Sequence, residues 1–291
     1  MKKIAFIVDT SSSVKVNQFK DVYVLPLTIN VANKKTNEIK SYRDTVDITN
    51  KDVAKFLSDK DSTVTTSQAS AGEIINLVEK IYDKYDEIYV LPIPLYLSGN
   101  ANTWNLIAEE YDKVIVGIEN MGIADGINWY LEDLIEMVKK NTLTPTTFKE
   151  YLKKQQETEA GTLFVSDITQ LAKSGRVSNL KSLLLKILKL NIIITCDKKG
   201  LKFFKTTKGL IKGFDAIIEE YTKRVPGFSL DKIKKLWIQF GTKNENYPNT
   251  VQLVNYIKSV IPKNCKMGTG YISNVILAHT GDDAITIKIG I

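Results

Sequence analysis

Histidine occurs once in this chain, at His279, cysteine twice, at Cys196 and Cys265, and arginine three times, at Arg43, Arg176 and Arg224. Each scarcity closes a class of chemistry. The two cysteines lie far apart, no Cys-x-x-Cys is present, and one imidazole is too few to complete a metal site. Neither a disulfide framework nor a zinc centre is expected, and no metal or cofactor is implied. The net charge of +7 comes from 40 basic residues against 33 acidic ones, and 37 of the basic residues are lysines. Base readout and phosphate forks favour arginine, and no lysine run is interleaved with aromatics as a stacking platform requires. Nucleic acid is therefore not an expected partner.

Long hydrophobic runs are absent too. The stretch from Leu183 to Ile194 is interrupted by Lys186, Lys189 and Asn191, well short of the roughly 20 apolar residues that span a bilayer. The apolar part of the amino terminus, Ile4 to Val8, stops at Asp9, too soon for a secretory signal. These features lead to the expectation of a soluble, cytoplasmic protein. Enzyme signatures are missing as well. The nucleophile elbow Gly-x-Ser-x-Gly does not occur, since Tyr96 precedes Ser98 and Ala172 precedes Ser174 where the glycine belongs. There is no phosphate-binding Gly-x-x-x-x-Gly-Lys-Ser/Thr. Gly268-Thr269-Gly270 falls short of the dinucleotide fingerprint and has no evident strand-then-helix context. No residue is assigned a catalytic role, and a small-molecule or ester hydrolase pairing Ser98 with His279 is the alternative reading.

What is present, 43% hydrophobic residues over 291, suffices for one large core or two ordinary ones. Apolar, β-branched runs predict buried strands at Lys3 to Val8, Glu87 to Ile93 and Val114 to Ile118. Val22 to Val31 reads as a further strand made irregular by Pro26. Ser70 followed by Glu73 is a capping box that opens an amphipathic helix to about Tyr85. This alternation predicts a parallel, doubly wound sheet. A polar helix over Phe148 to Gln156, of the kind that bridges domains, ends the pattern. The fold class read here is two α/β domains: residues 1–155 with a largely parallel doubly wound sheet, and residues 156–291 with a smaller mixed sheet and helices. In the second half, Thr162 to Ser166 reads as a strand and Leu171 to Ser178 as a loop. Leu180 to Leu190 reads as a helix apolar over much of its circumference, suited to burial against a sheet or to transient contact with a membrane surface. A hairpin through Asp197-Lys198-Lys199-Gly200 follows.

Three stretches carry candidate binding groups. Asp9-Thr10-Ser11-Ser12-Ser13 follows a strand's carboxyl end, where open α/β sheets hold ligands, although such loops more commonly use their hydroxyls for capping. Thr66 and Ser67 precede a helix amino terminus, whose amides and dipole favour an anion. Val275 to Thr280 reads as a buried strand that ends in the His279-Thr280-Gly281 turn and delivers an imidazole and a hydroxyl. That turn is read with equal weight as an anion site or as a strand end with an incidental histidine.

Taken in order, Val8-Asp9-Thr10-Ser11-Ser12, Thr66-Ser67-Gln68-Ala69-Ser70, Leu97-Ser98-Gly99, Ser174-Gly175-Arg176-Val177-Ser178 and His279-Thr280-Gly281 resemble the DegV family of bacterial fatty-acid-binding proteins. The resemblance spans essentially the whole chain. It implies a two-domain α/β carrier, not an enzyme, that buries a long-chain fatty acid between its domains and presents the carboxylate to a separate ATP-dependent fatty-acid kinase subunit, which forms an acyl phosphate. It further implies head-group contacts from Thr66, Ser67, Ser98, His279 and Thr280 and from the position of Leu95, and a phosphate or kinase contact from Arg176. Three departures from the family pattern stand out. Leu95 and Pro94 replace serines, Ala69 replaces a proline, and Asp282-Asp283 replace Pro-Gly after the His-Thr-Gly turn. Two carboxylates beside an anion site repel it unless they are aimed away.

Overall fold

The computed structural model describes residues 2–177, 190–197, 200–244 and 247–291. The chain forms two units. One comprises Met1–Thr49, Thr66–Lys154 and Ser273–Val275, and the other Asn50–Thr65, Gln155–Ile272 and Ile276–Ile291.

In the first unit, β1 (Ile4–Asp9), β2 (Val22–Leu25), β6 (Glu87–Leu91) and β7 (Val114–Val116) form an entirely parallel sheet in the order β2-β1-β6-β7. Both central strands are apolar nearly throughout, as strands covered on both faces must be; in β6 even Glu87 is buried. The helices α2 (Ala71–Tyr82), α3 (Asn100–Ala108), α4 (Asp125–Lys139) and α5 (Pro145–Thr158) follow. Trp104, Trp129, Tyr130, Tyr89 and Phe148 are each at most 1% exposed. Phe148 meets Tyr89 edge-on, with ring centroids 4.9 Å apart. Gly117 lies beneath Phe148 and Leu152, and a Cβ there would come within 2.6 Å of the leucine. The helix expected to bridge domains thus buries its apolar side on the parallel-sheet unit. β3 (Thr28–Asn33) and β4 (Ile39–Arg43) pair antiparallel, Ile29 opposite Tyr42, and of β5 (Ser62–Ser67) only Thr66 and Ser67 belong to this unit.

The second unit contains α1 (Asn50–Ser58), α6 (Thr169–Ser174), α7 (Leu210–Arg224) and α8 (Pro248–Val260). Its mixed sheet runs β10-β9-β8-β13-β11-β12, built from β8 (Glu159–Val165), β9 (Asn191–Asp197), β10 (Gly200–Thr207), β11 (Lys235–Phe240), β12 (Lys266–Tyr271) and β13 (Ile285–Gly290). All neighbours are antiparallel except β11 and β12. With six strands it is the larger sheet, not the smaller. Phe164, Ile193, Phe214, Ile217, Leu236 and Ile257 belong to its core. Gly213 lets α7 approach the ring of Phe164, which a Cβ would meet at 2.6 Å.

Several elements depart from the sequence reading. The stretch expected as a strand at Val275 to Thr280 is instead helix α9 (Asn274–Thr280), because a short apolar run fits a buried helical turn as well as a strand. Val22 to Val31 divides at Pro26 into β2 and β3, and the hydroxyl-rich Ser62–Ser67 is a strand. Leu171 to Ser174 is helical rather than loop. Strand β12 is followed by α9, so Gly268-Thr269-Gly270 does have strand-then-helix context. Its glycines nevertheless pair within the ladder, Gly268 opposite Trp237 and Gly270 opposite Gln239, and do not form the phosphate-cradling turn. The helix expected over Leu180 to Leu190, all but its last residue, lies outside the described residues, as do Ser178 and Lys198-Lys199.

Candidate functional site

The chain leaves β1 toward β2 on one side of the parallel sheet and leaves β6 toward β7 on the other. The strand order reverses between β1 and β6, the position at which open α/β sheets hold ligands outside their carboxyl ends. The loops there are tied together by one carboxylate. Asp9 is 2% exposed. Its Oδ1 accepts from the Ser11 amide at 3.0 Å and the Ser11 hydroxyl at 2.5 Å, and its Oδ2 accepts from the Ile93 amide at 2.7 Å and Asn100 Nδ2 at 2.9 Å. Burial raises its pKa, opposed by those same hydrogen bonds. The loop after β7 joins them. Asn120 donates to Pro92 O at 2.6 Å, and the Ala124 amide donates to Ser11 O at 2.8 Å. Ala124 takes φ +50°, outside the comfortable region for a residue with a Cβ, and such strain gathers at sites that the surroundings over-determine.

The hydroxyls of the first loop are consumed internally. Ser11 donates to Asp9, Ser12 donates to Asp9 O, and Thr10 Oγ1 accepts from the Leu27 amide. This is the capping use, not the ligand-holding one. Ser98, in the loop after β6, differs. Its Oγ accepts from the Asn100 amide at 3.2 Å, which leaves its proton available for donation. Leu95 in the same loop is 43% exposed and offers only hydrocarbon. The segment after β5 reaches this loop. Gln68 Nε2 donates to Thr103 Oγ1 at 2.7 Å, and its Oε1 lies where a Cβ on Gly99 would touch it. Ser67 Oγ accepts from Asn30 Nδ2 at 2.8 Å, and Thr66 beside it is half-buried. Gln68 thus brings the segment after β5 to the loop after β6, and Thr66 and Ser67 stand just before it at the end of β5. The structure does not offer the α2 amino terminus to an anion. Ser70 caps the Glu73 amide, and the Glu73 carboxylate returns to Ser70, completing the expected capping box and filling that position.

Sequence reasoning passed over Asp44, Asn100 and Asn274. Asp44 is fully buried and accepts from Asn274 Nδ2 at 2.8 Å, while its Oδ2 has no hydrogen-bond partner. Burial pushes it up to about 6, against hydrogen bonds from Thr10 and Asn274, and the nearby Asp9 adds to the rise. The only available signal was a polar residue interrupting apolar segments, and that is common to most turns.

In the second unit His279 lies near the end of α9, and its pKa falls to about 4, chiefly through burial and secondarily through the Arg176 guanidinium. The imidazole is neutral at pH 7. Arg176 is exposed. It follows Gly175, whose φ of +69° closes α6 in the left-handed conformation, and its Nη1 donates to Ser174 O at 2.6 Å. Thr280 is buried and returns its hydroxyl to Ile276 O at 3.1 Å, so it has no proton to offer a ligand in this arrangement. The two aspartates that follow are aimed at protein donors. Asp282 accepts from the Thr242 amide and hydroxyl, and Asp283 Oδ2 accepts from the Ser166 amide and hydroxyl and the Asp167 amide. They act as loop pins. Among the described residues no group of three or more His, Cys, Asp or Glu side chains is placed to hold a metal ion, and no helix is long and apolar enough to cross a membrane.

A DegV domain-containing protein of Mycoplasma genitalium is 27% identical over 303 residues, covering 99% of this chain and 98% of that protein. Two solved structures share the fold. A fatty-acid-binding DegV family protein of Streptococcus agalactiae has a TM-score of 0.79 at 18% identity, covering 100% of this chain and 99% of that one. The other, a DegV family protein of Thermus thermophilus described by its fatty-acid binding, has a TM-score of 0.80 at 18% identity and covers 99% of each chain. The family model described as "uncharacterised protein, DegV family" matches residues 3–290, and the chain belongs to the DegV family.

Proposed function

We propose that this protein binds a long-chain fatty acid, holds its carboxylate with hydroxyls that include those of Ser98, Thr66 and Ser67, and presents it in the cytoplasm to a separate ATP-dependent kinase. The reading is carried by membership of a family whose solved relatives of the same fold are fatty-acid-binding proteins. It is supported by the Ser98 hydroxyl at the reversal of strand order, whose oxygen accepts from the Asn100 amide and whose proton stays available for donation. A tail of some 14 methylenes, at about 0.8 kcal/mol each, contributes on the order of 11 kcal/mol before ordering costs. Affinity then resides in the tail, and the hydroxyls fix orientation. This is why a family serine can be replaced by Leu95 at a loss of about 1 kcal/mol.

His279, neutral and near Arg176, is assigned in this reading as a donor to a fatty-acid carboxylate. In the kinase step a carboxylate oxygen attacks the terminal phosphorus of ATP, the bond to the ADP oxygen breaks, and an acyl phosphate forms. Arg176, exposed and always charged, meets the phosphate or the kinase. The hydrolase alternative through Ser98 and His279 is disfavoured, because an imidazole with a pKa of about 4 is a weak general base at neutral pH. The test is lipid retention through purification. Thr66→Val and His279→Ala are expected to retain several-fold less fatty acid than the parent, and Arg176→Ala to retain as much while failing to be phosphorylated. Full retention by both of the first two would remove the head-group assignment.

A further inference from the structure

The hydroxyl of Ser98 is not placed by its own backbone alone. Its Oγ accepts from the Asn100 amide at 3.2 Å, and the Asn100 side chain donates to Asp9 Oδ2 at 2.9 Å. Asn100 is fully buried, and its Oδ1 has no hydrogen-bond partner. The carboxamide is therefore oriented through its nitrogen, by Asp9. The same Asp9 oxygen accepts the amide of Ile93, at the opening of the loop that carries Ser98. One carboxylate oxygen thus fixes both ends of that loop. Both Asp9 oxygens accept from two donors, so an amide in its place sets an NH2 group against donors on one side, either Ile93 and Asn100 or Ser11.

We propose that Asp9 and Asn100 are positioning residues that aim the Ser98 hydroxyl at the carboxylate of the ligand, so that the preference for a free acid over an uncharged ester is set one step behind the contacting residue. This rests on the fatty-acid reading above. Asp9 itself does not meet the ligand. All its contacts point into the protein, and a second bare carboxylate at the head group would repel it. Ser11, whose amide and hydroxyl both donate to Asp9 Oδ1, spends its hydroxyl within its own loop. The chain from Oδ2 through Asn100 to Ser98 is the route by which Asp9 reaches the site.

The experiment measures dissociation constants for palmitic acid and for methyl palmitate in the parent, Ser98→Ala, Asp9→Asn, Asn100→Ala and the double variant Asp9→Asn/Ser98→Ala. Each single variant is expected to lose roughly fivefold or more on the acid and clearly less on the ester, whose neutral carbonyl is the weaker acceptor. The double variant is expected to be no weaker than Ser98→Ala, because both changes remove the same hydrogen bond. Equal weakening toward acid and ester, or losses that add in the double variant, would show a merely structural role and overturn the proposal. If Asp9→Asn does not fold, Asn100→Ala decides by the same criteria. A parent that prefers the acid, with variants that keep the preference, overturns the positioning role alone. A parent that binds neither ligand overturns the fatty-acid reading, and the positioning role falls with it.

Discussion

Burial moves the charges of Asp44 and His279 in opposite directions. Asp44 rises from 3.8 to about 6, so the folded state holds a proton that the unfolded chain has lost; the stability this contributes is full below about pH 4 and disappears as pH rises through 6. His279 falls from 6.5 to about 4, so the folded state resists a proton that the unfolded chain accepts; its contribution is full above 6.5 and is lost as pH falls through 4. Between about pH 4 and 6 the two slopes oppose each other. Asp44→Asn removes one of them. Its urea midpoint is expected to fall more steeply than the parent's as pH drops from 6.5 to 4, and parallel curves would refute the assignment. The single histidine permits a second measurement. Because Arg176 is the lesser cause of the depressed value, Arg176→Ala is expected to raise the imidazole pKa read by NMR while leaving it below 6.5. No change would mean that the guanidinium does not face the ring.

At the scale of elements, α2 was legible because its start is local. Ser70 and Glu73 satisfy each other's backbone neighbours without help from the rest of the chain. Ser70→Ala is accordingly expected to cost about 1 kcal/mol of stability by denaturant unfolding, with no effect on lipid identity. The central strands β1 and β6 were legible for a related reason, since a strand buried on both faces must be apolar throughout. The elements that escaped notice are those defined by their neighbours. β5 reads Ser62 to Ser67 with only Val64 fully buried, and its hydroxyls match a loop equally well. In α9 the apolar run Val275 to Ala278 fits either period, and helix is chosen by a tertiary setting in which Asn274 is anchored on Asp44 and Ile48 O. The candidate site divides in the same way. Ser98, Thr66 and Ser67 could be named from motifs, whereas Asp9 and Asn100 meet through a contact spanning 91 positions that no local pattern encodes. The aspartates at 282 and 283 suggested repulsion only because their partners, Thr242 and Ser166, lie 40 and 117 positions away.

For the molecule as a whole, family membership and a fold shared with fatty-acid-binding relatives make the ligand the central claim. A ligand that binds only the folded state adds to its stability by mass action, so a protein purified with its lipid is the proper starting material. The decisive measurement is a mass spectrum of the organic extract from purified protein, set beside the intact mass under native conditions. The proposal predicts one fatty acid per chain, released on extraction and matching the excess mass of the native species. A folded, monodisperse protein whose extract is empty and whose native mass equals that of the polypeptide, including after incubation with fatty acids of several lengths, would contradict it.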